Sequence, residues 1–364
     1  MPKTRNKIIV AMSGGVDSSV TAALLLEAGH DVSGATMCFE LPPAGDATRP
    51  SCCGLSAIED ARKVCRALGI EHHVLNYGDI LEELVIKNFI QEYAEGRTPN
   101  PCVRCNQYLK FERLFKDIQA LGGTHLATGH YAQVMLNKEL GRFELCRAKD
   151  AKKDQSYFLY GIPKEILPFV LFPLGGMVKN DVRGHARRLH LPVAEKKDSQ
   201  DICFVPDGKY QDFLAARGMK DAGPGNFLDH TGAIVGAHKG VSHYTIGQRE
   251  GLGIALGYPA YITRINIQTN TIHLGPREAL YSGGLLASRL NLLAMNFSQE
   301  TLSLELKIRY NQNTIKGAVS FLDQDHVRVC FEAPQSAVTP GQSVVFYRND
   351  VVLGGGIIDA PVNI

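Results

Sequence analysis

Residues Ile8 to Ser19 read IIVAMSGGVDSS, an apolar strand running straight into a turn rich in glycine and serine. Ile8, Ile9 and Val10 suit a parallel strand buried on both faces. Gly14 and Gly15 let the backbone turn sharply and present its N–H groups, as a bound anion requires. From Ser18 to Ala28 the chain (SSVTAALLLEA) carries good helix formers and an apolar face, and Gly29 follows as a stop. A phosphate at that helix N-terminus would meet orphan N–H donors and the positive end of the helix dipole. No lysine closes the loop, which excludes the Walker-type phosphate loop. A plain turn has no need of polar groups at Ser13, Asp17 and Ser18, so the stretch reads as a ligand site.

The chain has 364 residues, enough for two or three domains. Its 45% hydrophobic and 21% charged content is that of a globular protein, and a net charge of +2 leaves nucleic-acid affinity to local patches. No apolar run approaches 18 residues, and the start (MPKTRNKIIV) lacks the length and cleavage site of a signal peptide, so a cytoplasmic protein is expected. Nine cysteines are an odd number for a reducing compartment, where metal, redox or nucleophilic roles outweigh a disulfide framework.

Strand and helix patterns alternate through the first two hundred residues. Strands are read near Asp31–Phe39 and His72–Leu75 and in HLATG, and helices near 55–68, 80–93 and 110–121. This alternation predicts a doubly wound parallel sheet with ligands at the carboxyl ends of its strands. The turn at Gly14, Met37, the loop GRTPNPCVRC and Gly129–His130 then surround one crevice. From Gly225 onward short alternating strands take over: NFLD, AIVG, AYITRINI and TIHLG, then LNLL, LSLELKIRY, HVRVCFE, SVVFYR and VVLGGGII. The expected division is 1–207, a small β-rich region at 208–281, and an antiparallel barrel or sandwich at 282–364.

Cys102 and Cys105 form a CxxC, read as a loop because Pro99 and Pro101 disfavour regular helix. Such a pair in a reducing compartment means zinc, a redox pair or iron–sulfur ligation. His72, His73, Cys52 and Cys53 could complete a zinc site, although adjacent cysteines rarely ligate one metal together. Cys203, within KKDSQDICFVP, is by local pattern a buried core cysteine on a strand. Between Lys179 and Lys197 six Lys/Arg face two acids on a helical pattern, with Arg142, Arg147, Lys149, Lys152 and Lys153 just before. Phosphate contact and a solvated helix face are the two readings of that run.

The pattern SGGVDS resembles the PP-loop of the ATP pyrophosphatases, which split ATP between the α and β phosphates. With GRTPNPCVRCN, LATGHYA, AKKDQSYFL, KKDSQDICF and HYTIGQREGLGI in this order, the whole chain resembles the tRNA-specific 2-thiouridylase family. That resemblance implies adenylation by ATP of the C2 oxygen of the wobble uridine (position 34), then replacement by sulfur to give 2-thiouridine, AMP and pyrophosphate. Ala11, Met12, Ser13, Gly14, Gly15, Val16, Asp17, Ser18, Met37 and Gly129 would hold ATP, with Asp17 a partner of Mg²⁺. Cys203 would carry a persulfide received from a sulfur donor protein, such as a cysteine desulfurase or sulfur carrier, and Cys105 would be the nucleophile. The tRNA would be met by Asn100, Pro101, Cys102, His130, Lys153, Asp154, Gln155, Arg309, Tyr310 and Gln342. Many family members have Asp where this chain has Cys102. Cys102 is therefore either a resolving thiol or, with Cys105 and Cys203, a ligand of a [4Fe–4S] cluster.

Two rivals stand beside this reading. An amidotransferase or ligase acting on a small metabolite would need an ammonia source and no cysteine pair. A non-catalytic, nucleotide-gated RNA-binding protein would have no use for Asp17, Cys105 and Cys203 together.

Overall fold

The structure, a computed structural model, describes residues 6–41, 51–198, 202–205, 209–219 and 222–363. Residues 42–50, 199–201 of the KKDSQDICF run and 206–208 at the expected boundary lie outside the described residues. β1 (Lys7–Ala11) is central to a parallel sheet, and its Ile8, Ile9 and Val10 are wholly buried. β2 (Asp31–Leu41) pairs along one side, β3 (Ser51–Cys53) runs antiparallel beside the end of β2, and β4 (His72–Asn76) lies parallel outside β2. β5 (His125–Thr128) flanks β1 on the other side. The chain thus winds away from β1 first one way and then the other, opening a crevice at the carboxyl ends of β1 and β5. A hairpin of β6 (Gln133–Asn137) and β7 (Arg142–Cys146) follows, and β8 (Val170–Leu171) joins the sheet outside β5.

Helix α1 (Val16–Glu27) leaves the turn after β1. Helix α2 (Leu55–Leu68) ends at Gly69, which takes a φ of 67° while the Ile70 N–H closes onto the Cys65 carbonyl. Residues 78–94 and 101–120 are two continuous helical runs, each with wider π-turns inside it, at Glu82–Ile86 and Cys105–Leu114. This corrects the loop expected around the CxxC. Pro101 occupies the first helical turn, where its missing N–H had no partner to lose, so it starts the helix rather than forbidding it.

β9 (Gly225–Leu228), β10 (Ile234–His238), β11 (Tyr261–Asn266) and β12 (Thr271–Gly275) form a separate sheet over Phe227, Ile262, Ile272 and Leu274. β13 (Tyr281–Leu292), β14 (Leu302–Lys307), β15 (Ile315–Phe321), β16 (Val327–Ser336), β17 (Ser343–Arg348) and β18 (Val351–Val362) close in the order β13-β16-β15-β14-β17-β18, with β18 returning to β13. Closure decides for a barrel over a sandwich, because it removes the open sheet edges. The sequence reading passes over β15, whose IKGAVSF is broken by Gly317. A side chain there would meet the Cys330 carbonyl oxygen at 2.7 Å. Among the described residues no helix is long and apolar enough to cross a membrane.

The barrel is docked on the first domain by buried polar contacts. The Tyr157 hydroxyl donates to the Ser343 carbonyl at 3.0 Å, and the Tyr160 and Ser343 hydroxyls lie 3.2 Å apart. The Thr98 N–H donates to the Pro340 carbonyl, and the Gln342 amide donates to the Thr98 carbonyl at 2.8 Å. The segment leading into Pro101 is therefore braced by the barrel. Tyr157→Phe removes one buried hydrogen bond while keeping the ring. It is expected to lower stability by about 1 kcal/mol in a denaturant titration, and an unchanged midpoint would count against this docking.

Candidate active site

The turn between β1 and α1 is shaped by two close backbone approaches. Gly14 has a φ of 67°, and a Cβ on it would lie 2.2 Å from the Ala57 carbonyl oxygen in α2. Gly129, just past β5, is pressed against the first turn of α1, where a Cβ would lie 2.7 Å from the Ser18 nitrogen. Met12 is pinned to β2 on both sides, its N–H donating to Ala35 and its carbonyl accepting from the Thr36 hydroxyl. The Ser18 hydroxyl accepts from the Ser13 N–H at 3.2 Å and lies 3.3 Å from the Ser13 hydroxyl. Ala11 ends β1 and Val16, buried, opens α1 behind an N-cap (Gly15) whose position offers no capping side chain. The first N–H groups of α1 therefore face the crevice for a ligand to use. Met37, on β2, packs half-buried against the main core.

Beside the turn lies a cluster of charges. The Lys179 ammonium, buried at 8% exposure, contacts both Asp17 carboxylate oxygens at 2.8 Å and Asp198 at 2.9 Å. The Tyr131 hydroxyl donates to Asp17 at 2.9 Å. Asp198 also receives Lys153 at 2.9 Å and Arg183 at 3.0 Å. Partial burial pushes the Asp198 carboxyl up, but hydrogen bonds from Lys179 and Lys153 outweigh it and hold the group at about 2. Lys196 reaches the Gly14 carbonyl at 3.0 Å and Asp60 at 2.7 Å. Arg187 pairs with Glu195 and Arg188 with Glu27. Five cations of the 179–197 run are thus paired with carboxylates of this chain, two of those pairs, Arg187–Glu195 and Arg188–Glu27, on the exposed face.

The thiols sit on the helix that starts at Pro101. Cys105 is buried at the first π-turn and Cys102 reaches solvent one turn earlier. Burial pushes the Cys105 thiol up and Lys110 draws it back. Cys102 is raised by the protein packed around its base and by Cys105. Lys110 stands five residues after Cys105, and its ammonium donates to Asn106 at 2.8 Å. His130 faces the same helix, its ring 6.1 Å from Phe111 and its Nδ1 2.7 Å from the Thr128 hydroxyl. Burial, reinforced by Lys110, keeps His130 neutral well below its ordinary range. Cys203 is exposed in a turn, with Phe204 and Val205 beside it in the core that also holds Cys105. The expectation of a core cysteine on a strand is therefore corrected. Among the described residues no three His, Cys, Asp or Glu side chains are grouped to hold a metal ion. Of the zinc set, His72 pairs with Thr36 at 2.8 Å, and the side chains of Cys52 and Cys53 lie outside the described residues.

The residues expected to meet tRNA are divided. Asn100 and Pro101 lead into the thiol helix beside Cys102, and Lys153 lies at the charge cluster. Asp154 is buried and accepts from the Ala148 and Ser156 N–H groups, and Gln155 accepts from the Tyr131 N–H, so both organise their own loop. The Arg309 guanidinium donates to the Ser336 and Ala337 carbonyls, and Tyr310 packs 4.4 Å from the Phe158 ring. Gln342 braces Thr98, as above. Arg309 and Gln342 line a cavity of about 620 Å³, shared with Thr245, Tyr261 and Arg277 of the middle region. Sequence reasoning missed Tyr131 and Lys110. Tyr131 stands inside LATGHYA with no chemical signal of its own, and Lys110 shares the face of Cys105 only because the helix widens.

Gly129→Ala is expected to displace the first turn of α1 and weaken ATP binding at least about tenfold in a calorimetric titration, by steric overlap alone. An unchanged affinity would separate Gly129 from the nucleotide site.

Comparison with known proteins agrees with this arrangement. Residues 6–207 match the model of a tRNA methyl transferase HUP domain, 211–276 a tRNA methyl transferase PRC-barrel domain, and 282–358 an aminomethyltransferase beta-barrel domain. The tRNA-specific 2-thiouridylase MnmA of Carboxydothermus hydrogenoformans is 47% identical over 98% of this chain and 98% of its own. That of Acetivibrio thermocellus is 46% identical over 98% of this chain and 99% of its own. With such relatives along nearly its whole length, the chain belongs to the tRNA-specific 2-thiouridylase family.

Proposed function

We propose that this protein is a tRNA-uridine 2-sulfurtransferase that uses ATP to activate the C2 oxygen of the wobble uridine and then replaces it with sulfur. The observation that carries the reading is the place of Gly129–His130. Gly129 touches the first turn of the phosphate-binding helix, and the next residue faces the helix that bears Cys105. One dipeptide thus joins an anion site to a buried thiol. The family's relatives, named for 2-thiouridylation of tRNA, support the same chemistry.

A uracil C2 carbonyl is a poor electrophile and oxide a poor leaving group. Attack of that oxygen on the α-phosphorus of ATP forms an O–P bond and expels pyrophosphate, leaving AMP as the group to be displaced. The turn Met12–Gly15 with Asp17 and Ser18 holds the phosphates, and Ala11, Met37 and Gly129 lie against the nucleoside. Asp17 offers the hard carboxylate oxygen that Mg²⁺ prefers, and the ion supplies charge neutralisation there. Sulfur arrives as the terminal atom of a Cys203 persulfide, delivered by a donor protein. Attack of the Cys105 thiolate on Cys203 sulfur forms a Cys105–Cys203 disulfide and releases hydrosulfide. Hydrosulfide adds at C2, AMP leaves with the original oxygen, and an external thiol reductant returns both cysteines for the next turnover. Direct attack by the terminal sulfur reaches the same product.

The resting Cys105 thiol is raised by burial, and Lys110 is the nearby cation that favours its thiolate. We assign residues 1–207 to ATP and catalysis and 282–364 to tRNA contact, with 208–281 between them. Asn100, Pro101 and Cys102 lie at the target base, and Cys102 serves as a resolving thiol. Lys153, Asp154, Gln155, His130, Arg309, Tyr310 and Gln342 form or support the tRNA surface.

Anaerobic incubation with ATP, Mg²⁺, unmodified tRNA and a sulfur source is expected to yield 2-thiouridine by nucleoside mass spectrometry, and none without ATP. Cys105→Ser is expected to abolish the product while tRNA-dependent pyrophosphate release continues. Full thiolation by Cys105→Ser would sink the mechanism.

A further inference from the structure

We propose that the cavity between the middle region and the barrel is a subsite for one nucleotide of the RNA, the neighbour of the target uridine; this rests on the proposed use of tRNA. Arg277 and Arg309 hold its phosphate, and Tyr261 packs against its base. The middle region has no part in the chemistry described so far, yet Thr245, Tyr261 and Arg277 bring it to this cavity. Arg309 and Thr339 come from the barrel. Thr98 of the first domain joins them, its hydroxyl 3.5 Å from that of Thr245.

Charge decides what the cavity takes. Two guanidinium groups line it and no carboxylate does, and neither arginine forms an ion pair among the described residues. In the Lys179 cluster, by contrast, every cation meets a carboxylate. Arg309 is half-buried, and burial disfavours its charge. Only the Ser336 and Ala337 carbonyls answer it, and its Nε is buried without a partner. Ala337 takes a φ of 50°, in the left-handed region that an alanine enters only under constraint. Its N–H donates to the Leu280 carbonyl at 2.9 Å, which ties the turn Arg277–Leu280 to the same point. A strained backbone thus sets two cations around one space. A phosphodiester supplies the missing negative charge in the shape that guanidinium groups bind.

The rest of the lining makes that phosphate part of a nucleotide. The hydroxyls of Thr98, Thr245 and Thr339 suit ribose and base edges, and Tyr261 offers a ring on which an unstacked base can lie. A volume of about 620 Å³ is that of a pocket enclosing a small ligand whole. Thr98 stands two residues before Asn100, assigned above to the target base. The nucleotide in the cavity is therefore within one step of the target along the strand.

The test uses the full chain and unmodified tRNA, with affinity measured over a range of salt concentrations. Arg277→Ala is expected to weaken binding about tenfold and to lower the slope of log Kd against log salt by about 1, the loss of one phosphate contact. Arg277 is exposed, so the melting temperature is expected to stay as in the wild type. Arg277→Lys is expected to keep the slope. Tyr261→Leu is expected to weaken binding about fivefold or more at an unchanged slope. With an abasic nucleotide on one particular side of the target uridine, Tyr261→Leu is expected to cause no further loss. Wild-type affinity and slope in Arg277→Ala would overturn the subsite, as would a Tyr261→Leu loss that persists whichever side is abasic. Binding of free uridine monophosphate that Arg277→Ala abolishes, at unchanged tRNA affinity, would assign the cavity to a free nucleotide and overturn it too. If Tyr261→Leu does not fold, the Arg277→Ala slope decides alone. A wild type that binds tRNA without forming 2-thiouridine would overturn the proposed reaction, while the variants still decide the subsite; one that does not bind tRNA would overturn both.

Discussion

Gly129 lies so close to the first turn of α1 that no side chain can stand between them, and the rest of the site is arranged around that contact. The approach joins the end of β5 to the turn after β1, at the point where the winding of the sheet reverses. On one side it fixes Asp17 and Ser18; on the other it delivers His130 to the helix of Cys105. A second close approach, Gly14 against α2, sets the far wall of the same turn. Two glycines therefore do what side chains could not, bringing backbone N–H groups together in a crevice of otherwise ordinary α/β construction.

Charge is organised around this geometry rather than spread over the surface. Five cations of the basic run from Lys179 to Lys197 are paired within the chain, and the most buried of them, Lys179, is the one that reaches Asp17 beside the turn after β1. Lys196 holds the Gly14 carbonyl, and two residues later Asp198 holds Lys179. The segment leading toward Cys203 is consequently tied to the turn after β1 directly through Lys196 and, by way of Lys179, to Asp17. The barrel acts from the opposite side, where Pro340 and Gln342 hold Thr98 ahead of the thiol helix.

Much of this was legible in the sequence where local pattern and tertiary role agree. IIVAMSGGVDSS announces strand, turn and helix because each residue choice there serves both levels. Helix 55–68 and the strands of the C-terminal half other than β15 follow from periodicity in the same way. The misses have physical causes. Pro101 was read as a breaker, yet at a helix start proline is favoured. Cys203 sits among apolar residues that suggested burial, but a turn points Phe204 and Val205 inward and leaves the cysteine exposed. Asp17, Glu27 and Asp60, which hold Lys179, Arg188 and Lys196, lie more than a hundred residues away, beyond any local pattern. The π-turns that put Lys110 near Cys105 likewise leave no trace in residue spacing read at 3.6 per turn.

The central claim is that the C2 oxygen of the target uridine leaves on AMP. It is tested most directly with tRNA carrying ¹⁸O at C2 of the wobble uridine, incubated with ATP and a sulfur source, followed by mass spectrometry of the AMP. The account predicts one ¹⁸O in the phosphoryl group of each AMP formed per 2-thiouridine. Unlabelled AMP alongside 2-thiouridine would contradict it, because sulfur would then have entered without adenylation of that oxygen.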